Sequence, residues 1–444
     1  MRIIHLNRET LRLAVPNILS NIAIPLLGMV DTAMMGHLNS EIYMGAVALG
    51  SIIFNFVYWG FGFLRMGTTG LTAQAFGRSD RRECAAILGR GAAVAVVGGL
   101  LLIVLQVAIS AAAFALIPGE ADVESWARRY FYIRIYAAPA TLLLYAIHGW
   151  FLGMQNARYP LILTVLATGA NIGFNVLFVL GFGMKSDGVA LGTVCAQYLG
   201  LAAGVALLVR RYRPWLRRLD WKRVSRLDAL QTFFRVNIDI FIRTICLIFS
   251  FAFFTSASAA MDSLVLAANQ ILLQYLSLMA YGVDGFAFAA ESLVGRLTGA
   301  CRPDLLRRAV RRLFGWGLGV GAVFSLAYLF FGDELLRVFT DQPDILATAA
   351  PYLHWMVWLP PVGAVAYMWD GVYIGATATR PMRNMMLVAT LLVFLPSYYL
   401  AVPAMGNDAL WLAMLLFMAA RGLSLSLLAP RWIFGTAAHS ATIA

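Results

Sequence analysis

A handful of ionisable side chains lie deep inside apolar runs of this chain. They are Asp31, Arg65 and His148 in the first half, and Asp239, Arg243, Asp284, Asp370 and Arg421 in the second, with Glu291 nearer the end of its run. In hydrocarbon such a group costs at least about 2.5 kcal/mol unless it is paired or hydrated, so each marks a proton carrier, an ion or substrate contact, or an internal brace. Asp31 sits in the string Gly28-Met29-Val30-Asp31-Thr32-Ala33-Met34-Met35-Gly36, six residues after Pro25, on a run already interrupted by Pro16. Each proline removes a backbone donor, so the two supply helix bending next to the acid. A carboxyl facing a desolvated cleft binds its proton more tightly and can exchange it near neutral pH. The alternative is an interfacial acid, since roughly 10 Å of helix separates it from the outer loop. Arg65, about 20 Å of helix from Arg78, is too deep to reach the surface by snorkelling alone. It is either bound to helix-end carbonyls or placed in a wet cavity as a substrate contact or a gate for Asp31.

Asp239 and Arg243 are one helical turn apart on one face. Counting inward from each connector puts Arg243, Asp284, Asp370 and Arg421 at a common depth of roughly 15 to 20 Å. The spacing therefore predicts a charged layer in the second half. It either holds a cation or proton, or neutralises itself as a structural network. Asn171 and Asn175 are also one turn apart and can line a cleft or bond between helices. His354, Trp355, Trp358, Tyr367 and Trp369 supply aromatic surface suited to flat cations, and an interfacial belt accounts for the first three equally well. No phosphate-binding loop, nucleophile elbow or paired-histidine metal motif occurs, which leaves ATP-driven work and hydrolytic enzymes without support. No cofactor is expected.

The elements that must position these groups are membrane helices. With 61% hydrophobic and 13% charged residues and a mean hydropathy of +0.76, the chain lies far from soluble globular composition. The apolar runs divide into twelve spans, including Tyr43 to Phe76 and Ala85 to Ile117. The Met1 to Thr10 segment runs into the first span without a small-residue cleavage site, so that span is expected to stay. Cys84, Cys195, Cys246 and Cys301 have no metal-type spacing and are expected as free thiols. The net charge of +12 is concentrated in alternate connectors, such as Arg78 to Arg82, Arg210 to Arg226 and Arg302 to Arg312, while the intervening loops are short and neutral or acidic. That pattern places both termini in the cytoplasm and assigns the basic residues to topology and lipid headgroups, with no role in nucleic-acid binding.

Aligned with itself at an offset of half its 444 residues, the chain matches in the register of its apolar runs, with Gly77 on Gly299, Tyr130 on Tyr352 and Gly153 on Gly375. This is one duplicated unit. An even number of spans per half gives a parallel repeat, so the expected fold is all-α: twelve transmembrane helices in two six-helix lobes related by a pseudo-two-fold axis along the membrane normal. The domains are then 1–210, a basic cytoplasmic linker 211–229, and 230–444. The intramembrane charges do not repeat: Asp31 aligns with Phe253, Arg65 with Ala287, and Asp370 with His148.

Three strings carry a family likeness: Val30 to Leu38, Phe63 to Gly77, and Asp370 to Thr377. They resemble multidrug and toxic compound extrusion (MATE) transporters of the DinF branch, and the likeness runs over the whole chain. The resemblance implies two six-helix lobes in the inner cell membrane and export of organic cations and other amphiphiles in exchange for protons or sodium ions. It also implies that Asp31 matches the first-span acid whose protonation is coupled to helix bending, and that Asn171 matches a family asparagine. Asn175 stands where several relatives carry aspartate, which leaves Asp31 the sole mid-span acid of its half. The expected function is a multi-pass, monomeric, proton-coupled antiporter working by alternating access on small amphiphiles within the bilayer. A flippase for lipid-linked precursors and, in a different class, an integral-membrane enzyme remain the alternatives.

Overall fold

The computed structural model describes residues 3–36, 41–117 and 120–435, with side chains placed over 6–23, 41–117 and 120–435. Among them there is helix and no strand, as the bilayer demands: with no water to satisfy backbone amides, a lipid-exposed chain must bond within its own helix. The first half runs α1 (Ile3–Gly36), α2 (Glu41–Gly60), α3 (Phe63–Gly77), α4 (Arg81–Val104), α5 (Gln106–Leu116), α6 (Ala121–Arg134), α7 (Ala138–Gly153), α8 (Arg158–Asn175), α9 (Ser186–Leu216) and the short α10 (Trp221–Val224). The second runs α11 (Leu227–Met261), α12 (Ser263–Gly299), α13 (Pro303–Phe339), α14 (Pro343–Ala349), α15 (Leu353–Gly375), α16 (Thr379–Val388), α17 (Leu395–Met405) and α18 (Asp408–Ala429).

Ten segments among the described residues are long and apolar enough to cross a membrane. The chain is a multi-pass membrane protein. The helix α15 is not one of the ten: His354, two prolines, three tryptophans and Asp370 dilute its hydropathy, although most of it is buried. Several sequence spans are interrupted in the structure, those from Ser125 to Gly153 and from Leu346 to Gly375 by 3-10 turns at Ile135–Ala137 and Ala350–Tyr352. The run from Tyr43 to Phe76 turns at Phe61 and Gly62 between α2 and α3, and the run from Ala85 to Ile117 breaks at Leu105 between α4 and α5.

The helix boundaries recur at half the chain length. The α2–α3 segment Glu41–Gly77 corresponds to α12, Ser263–Gly299, and the segment Ala121–Gly153 to Pro343–Gly375. The turns recur as well. Ser79 and Cys301 have positive φ, as do Gln155 and Thr377. Each follows a helix end at which two amides bond back, as Ser79 to Phe76 and Asp80 to Ala75, and Cys301 to Thr298 and Arg302 to Leu297. That is the left-handed helix stop usually given to glycine.

Two compact units emerge, one of Leu19–Phe234 and one of Met1–Ile18 with Arg235–Ala444. In the first, Gly149 and Gly153 let α7 close on α3: a Cβ at Gly149 would lie 2.3 Å from the Arg65 carbonyl oxygen, and one at Gly153 would lie 2.8 Å from that of Thr69. Small residues four apart permit this approach of helix backbones, which is the main source of packing energy in lipid. The Trp150 indole then donates to the Cys84 carbonyl on α4 at 2.8 Å. In the second unit Gly371 and Gly375 do the same, at 2.3 Å from the Ala287 oxygen and 2.6 Å from that of Glu291. Residues 3–18 group with this unit because Gly285 receives Ile18 and Ala14, and Arg296 binds Glu9 at 2.5 Å. The basic stretch after α9 belongs to the first unit. Arg90, almost fully buried, donates to the carbonyls of Val224 at 3.1 Å and Arg223 at 2.7 Å. Asp80, the N-cap of α4, holds Arg223 from the other side at 3.1 Å.

Candidate functional site

In the second unit, helix packing gathers part of the charged layer and separates the rest. Asp239, 1% exposed, accepts hydrogen bonds from Thr379 Oγ1 at 2.8 Å and Arg383 Nη1 at 2.6 Å, both on α16. One turn along α11, Arg243 reaches instead to Asp370 on α15, and Arg421 of α18 donates to the same oxygen, Oδ2, at 2.6 Å. All three side chains of this cluster are almost fully buried. Arg421 is further held by the Met418 sulfur at 3.1 Å and lies over the rings of Phe417 at 5.2 Å and Tyr367 at 5.8 Å. Asp284, half-buried on α12, is within electrostatic range of Arg243 and Tyr367. Two arginines and two carboxylates thus make a formally neutral group. Asp239 is neutralised separately.

This group is under-bonded. Asp370 Oδ1 and the Nε atoms of Arg243 and Arg421 are buried without hydrogen-bond partners. Two guanidiniums on a single carboxylate oxygen occupy it from both sides, and they block the approach of a further cation to it.

In the first unit, Asn171 and Asn175 are 2% and 0% exposed. Asn175 donates to Asn171 Oδ1 at 2.9 Å, and Asn171 to Thr193 Oγ1 at 3.0 Å. Gly192 leaves room for this chain, since a Cβ there would stand 2.1 Å from Asn175 Oδ1. The pair therefore bridges α8 and α9. Arg65 is half-buried on α3, and Thr69 Oγ1 donates to its carbonyl at 2.8 Å. The close contact at Gly149 brings its side chain into electrostatic range of Tyr145 and His148 on α7. The side chains of Asp31 and Pro25 lie outside the described residues. Pro16 is half-buried, within an unbroken α1.

One residue that sequence counting passed over is Arg134. It ends α6 at a tight turn of the 3-10 type, where Pro139 lacks the amide that would continue the α-helix. Its Nη1 donates to Ser51 Oγ at 3.2 Å and to the Tyr130 hydroxyl, with its guanidinium 4.9 Å from the Phe54 ring centroid. The signal was available, because Arg134 lies about 20 Å of helix beyond the outer loop.

All four cysteines are free. Among the described residues, no three His, Cys, Asp or Glu gather as a metal site.

Comparison with known proteins gives a consistent picture. The MatE family model matches residues 16–177 and 240–400. DNA damage-inducible protein F of Escherichia coli strain K12 is 39% identical over 431 residues, covering 96% of this chain and 92% of its own. The probable multidrug resistance protein NorM of Thermotoga maritima is 25% identical over 351 residues, 77% of this chain and 74% of its own. A solved MATE structure in the bent conformation superposes with a TM-score of 0.90 at 16% identity, over 98% of this chain and 97% of that one. At that identity the structural match speaks for the fold alone.

Proposed function

We propose that this chain, which belongs to the MatE family, is a proton-coupled efflux antiporter that exports small amphiphilic molecules by alternating access. Membership makes it a transporter of the multidrug-extruder kind and not an enzyme. The observation that carries the finer reading is the recurrence of helices and turns at half the chain length without recurrence of the intramembrane charges. Such a molecule has two like scaffolds doing unlike work. In this reading α1 and α15 join the ten apolar segments as twelve helices, six to each lobe, and the basic connectors support a bacterial inner-membrane protein with both termini cytoplasmic.

In this reading Asp31 is the proton carrier. Protonation from outside neutralises its carboxylate and releases substrate. Return of the proton to the cytoplasm resets the site. A membrane potential adds about 2.3 kcal/mol per elementary charge per 100 mV, enough to bias a two-state element about fifty-fold. The second unit favours protons over sodium as the coupling ion, because Asp239 and Asp370 are already engaged by arginines. The test is uptake in proteoliposomes with pH and sodium gradients imposed separately. The wild-type protein should respond to the pH gradient, and Asp31→Asn should not. Undiminished pH-driven transport by that variant would falsify the assignment.

A further inference from the structure

The first unit contains a polar seam that the helix periodicity builds from two faces. Ser51 and Tyr58 are seven residues apart on one side of α2, and Arg65 follows on α3 beyond the turn at Phe61 and Gly62. Tyr130 and Arg134 are one turn apart on α6, and Thr141, Tyr145 and His148 share one side of α7 at steps of four and three. The two rows meet rung by rung. Ser51 lies 3.3 Å from the Tyr130 hydroxyl and accepts from Arg134 at 3.2 Å. Tyr58 stands among Arg134, Thr141 and Tyr145, and Arg65 faces Tyr145 and His148.

This seam carries two guanidiniums, and among the described residues Arg134 has no ion pair: its partners are hydroxyls. Arg134 Nε and His148 Nε2 are buried without hydrogen-bond partners. In the second unit, by contrast, the deep arginines Arg243 and Arg421 both end on a carboxylate. A cation at mid-span with spare donors is costly against lipid, so the half-buried seam must open to water or to a ligand that supplies acceptor oxygens. Guanidinium and tyrosine hydroxyl together suit a carboxylate, sulfonate or phosphate group, which charge-assisted bonds hold most strongly. The half-buried rings of Tyr58 and Tyr145 offer an apolar wall to the body of the same molecule.

We infer that this seam binds the anionic head of an amphiphilic substrate, with Arg134 as the residue that selects its charge. The inference rests on the efflux reading for its purpose, but its test does not require transport. The full-length protein in detergent is titrated with two fluorescent probes of one ring scaffold, anionic fluorescein and cationic rhodamine 123, and binding is read by anisotropy. The wild type should bind fluorescein more tightly. Arg134→Gln should weaken fluorescein binding by roughly tenfold or more while leaving rhodamine unchanged, and Arg134→Lys should recover most of the loss. A wild-type preference for rhodamine, binding of neither probe, or an equal effect of Arg134→Gln on both overturns the inference. Thermal unfolding of Arg134→Gln, compared with Arg134→Lys, separates lost binding from lost folding. Charge-selective binding without gradient-driven uptake would sink the antiport reading alone. Gradient-driven uptake of the cationic probe only would sink the anion site alone.

Discussion

Asp370 holds two arginines on one oxygen, so its removal leaves two buried guanidiniums facing each other. Breaking a buried pair from one side costs about 3–5 kcal/mol, and here both pairs go at once. Asp370→Asn should therefore lower the thermal midpoint of the purified protein well below that of Asp284→Asn. An equal midpoint for the two would remove Asp370 from its bracing role. Asp284→Asn should insert normally and transport poorly. Asp80 offers a pH dependence outside the membrane. Burial opposes its ionisation, but the Glu83 amide and the Arg223 guanidinium outweigh it and hold the carboxyl below its usual value of 3.8. A lowered folded pKa gives stability that is present above the unfolded value and lost as pH falls through the folded one. Hydrogen exchange in the Asp220 to Ser225 stretch should thus be slow at pH 5 to 7, rise below about pH 4, and be fast at all pH in Asp80→Ala. Unchanged protection in that variant would leave Arg90 as the sole clip. Depth counting found the Arg243, Asp370 and Arg421 cluster from the sequence, because helices convert residue number into height. It gave no azimuth, so the one-turn spacing of Asp239 and Arg243 did not show that Asp239 turns to Arg383 on α16.

The helices themselves were legible because hydrophobic length is a direct demand of the bilayer. Their interruptions were not. Phe61 lies between Gly60 and Gly62, and Leu105 is followed by Gln106, but one or two such residues do not end a membrane helix by themselves, and tertiary packing decides that the chain turns there. The repeated left-handed stops were equally hidden, since serine, cysteine, glutamine and threonine do not announce positive φ. A non-glycine residue in that region costs about 1–2 kcal/mol. Cys301→Gly should remove most of this cost at the end of α12 and raise stability by about 1 kcal/mol. A neutral or destabilising result, read from the denaturation midpoint, would mean that the Cys301 side chain contributes as much as its backbone costs.

At the scale of the molecule, sodium dependence follows from how the second unit spends its carboxylates. With Asp239 and Asp370 both tied to arginines, an imposed sodium gradient should drive no uptake at constant pH. Sodium-driven uptake by the wild-type protein at constant pH would contradict this. The duplication was legible in the hydrophobic register, but the grouping of residues 3–18 with the carboxy-terminal unit was not, because linear order says nothing about which neighbour a helix end chooses. That grouping means that the covalent halves are not the folded halves. A fragment 227–444 made alone lacks Glu9 for Arg296 and Ile18 for the hollow at Gly285, and cells should degrade it. Supplied in trans, a fragment 1–226 carries both the missing piece and its own clipped tail, so complementation between the two should rebuild a working pump from a severed gene.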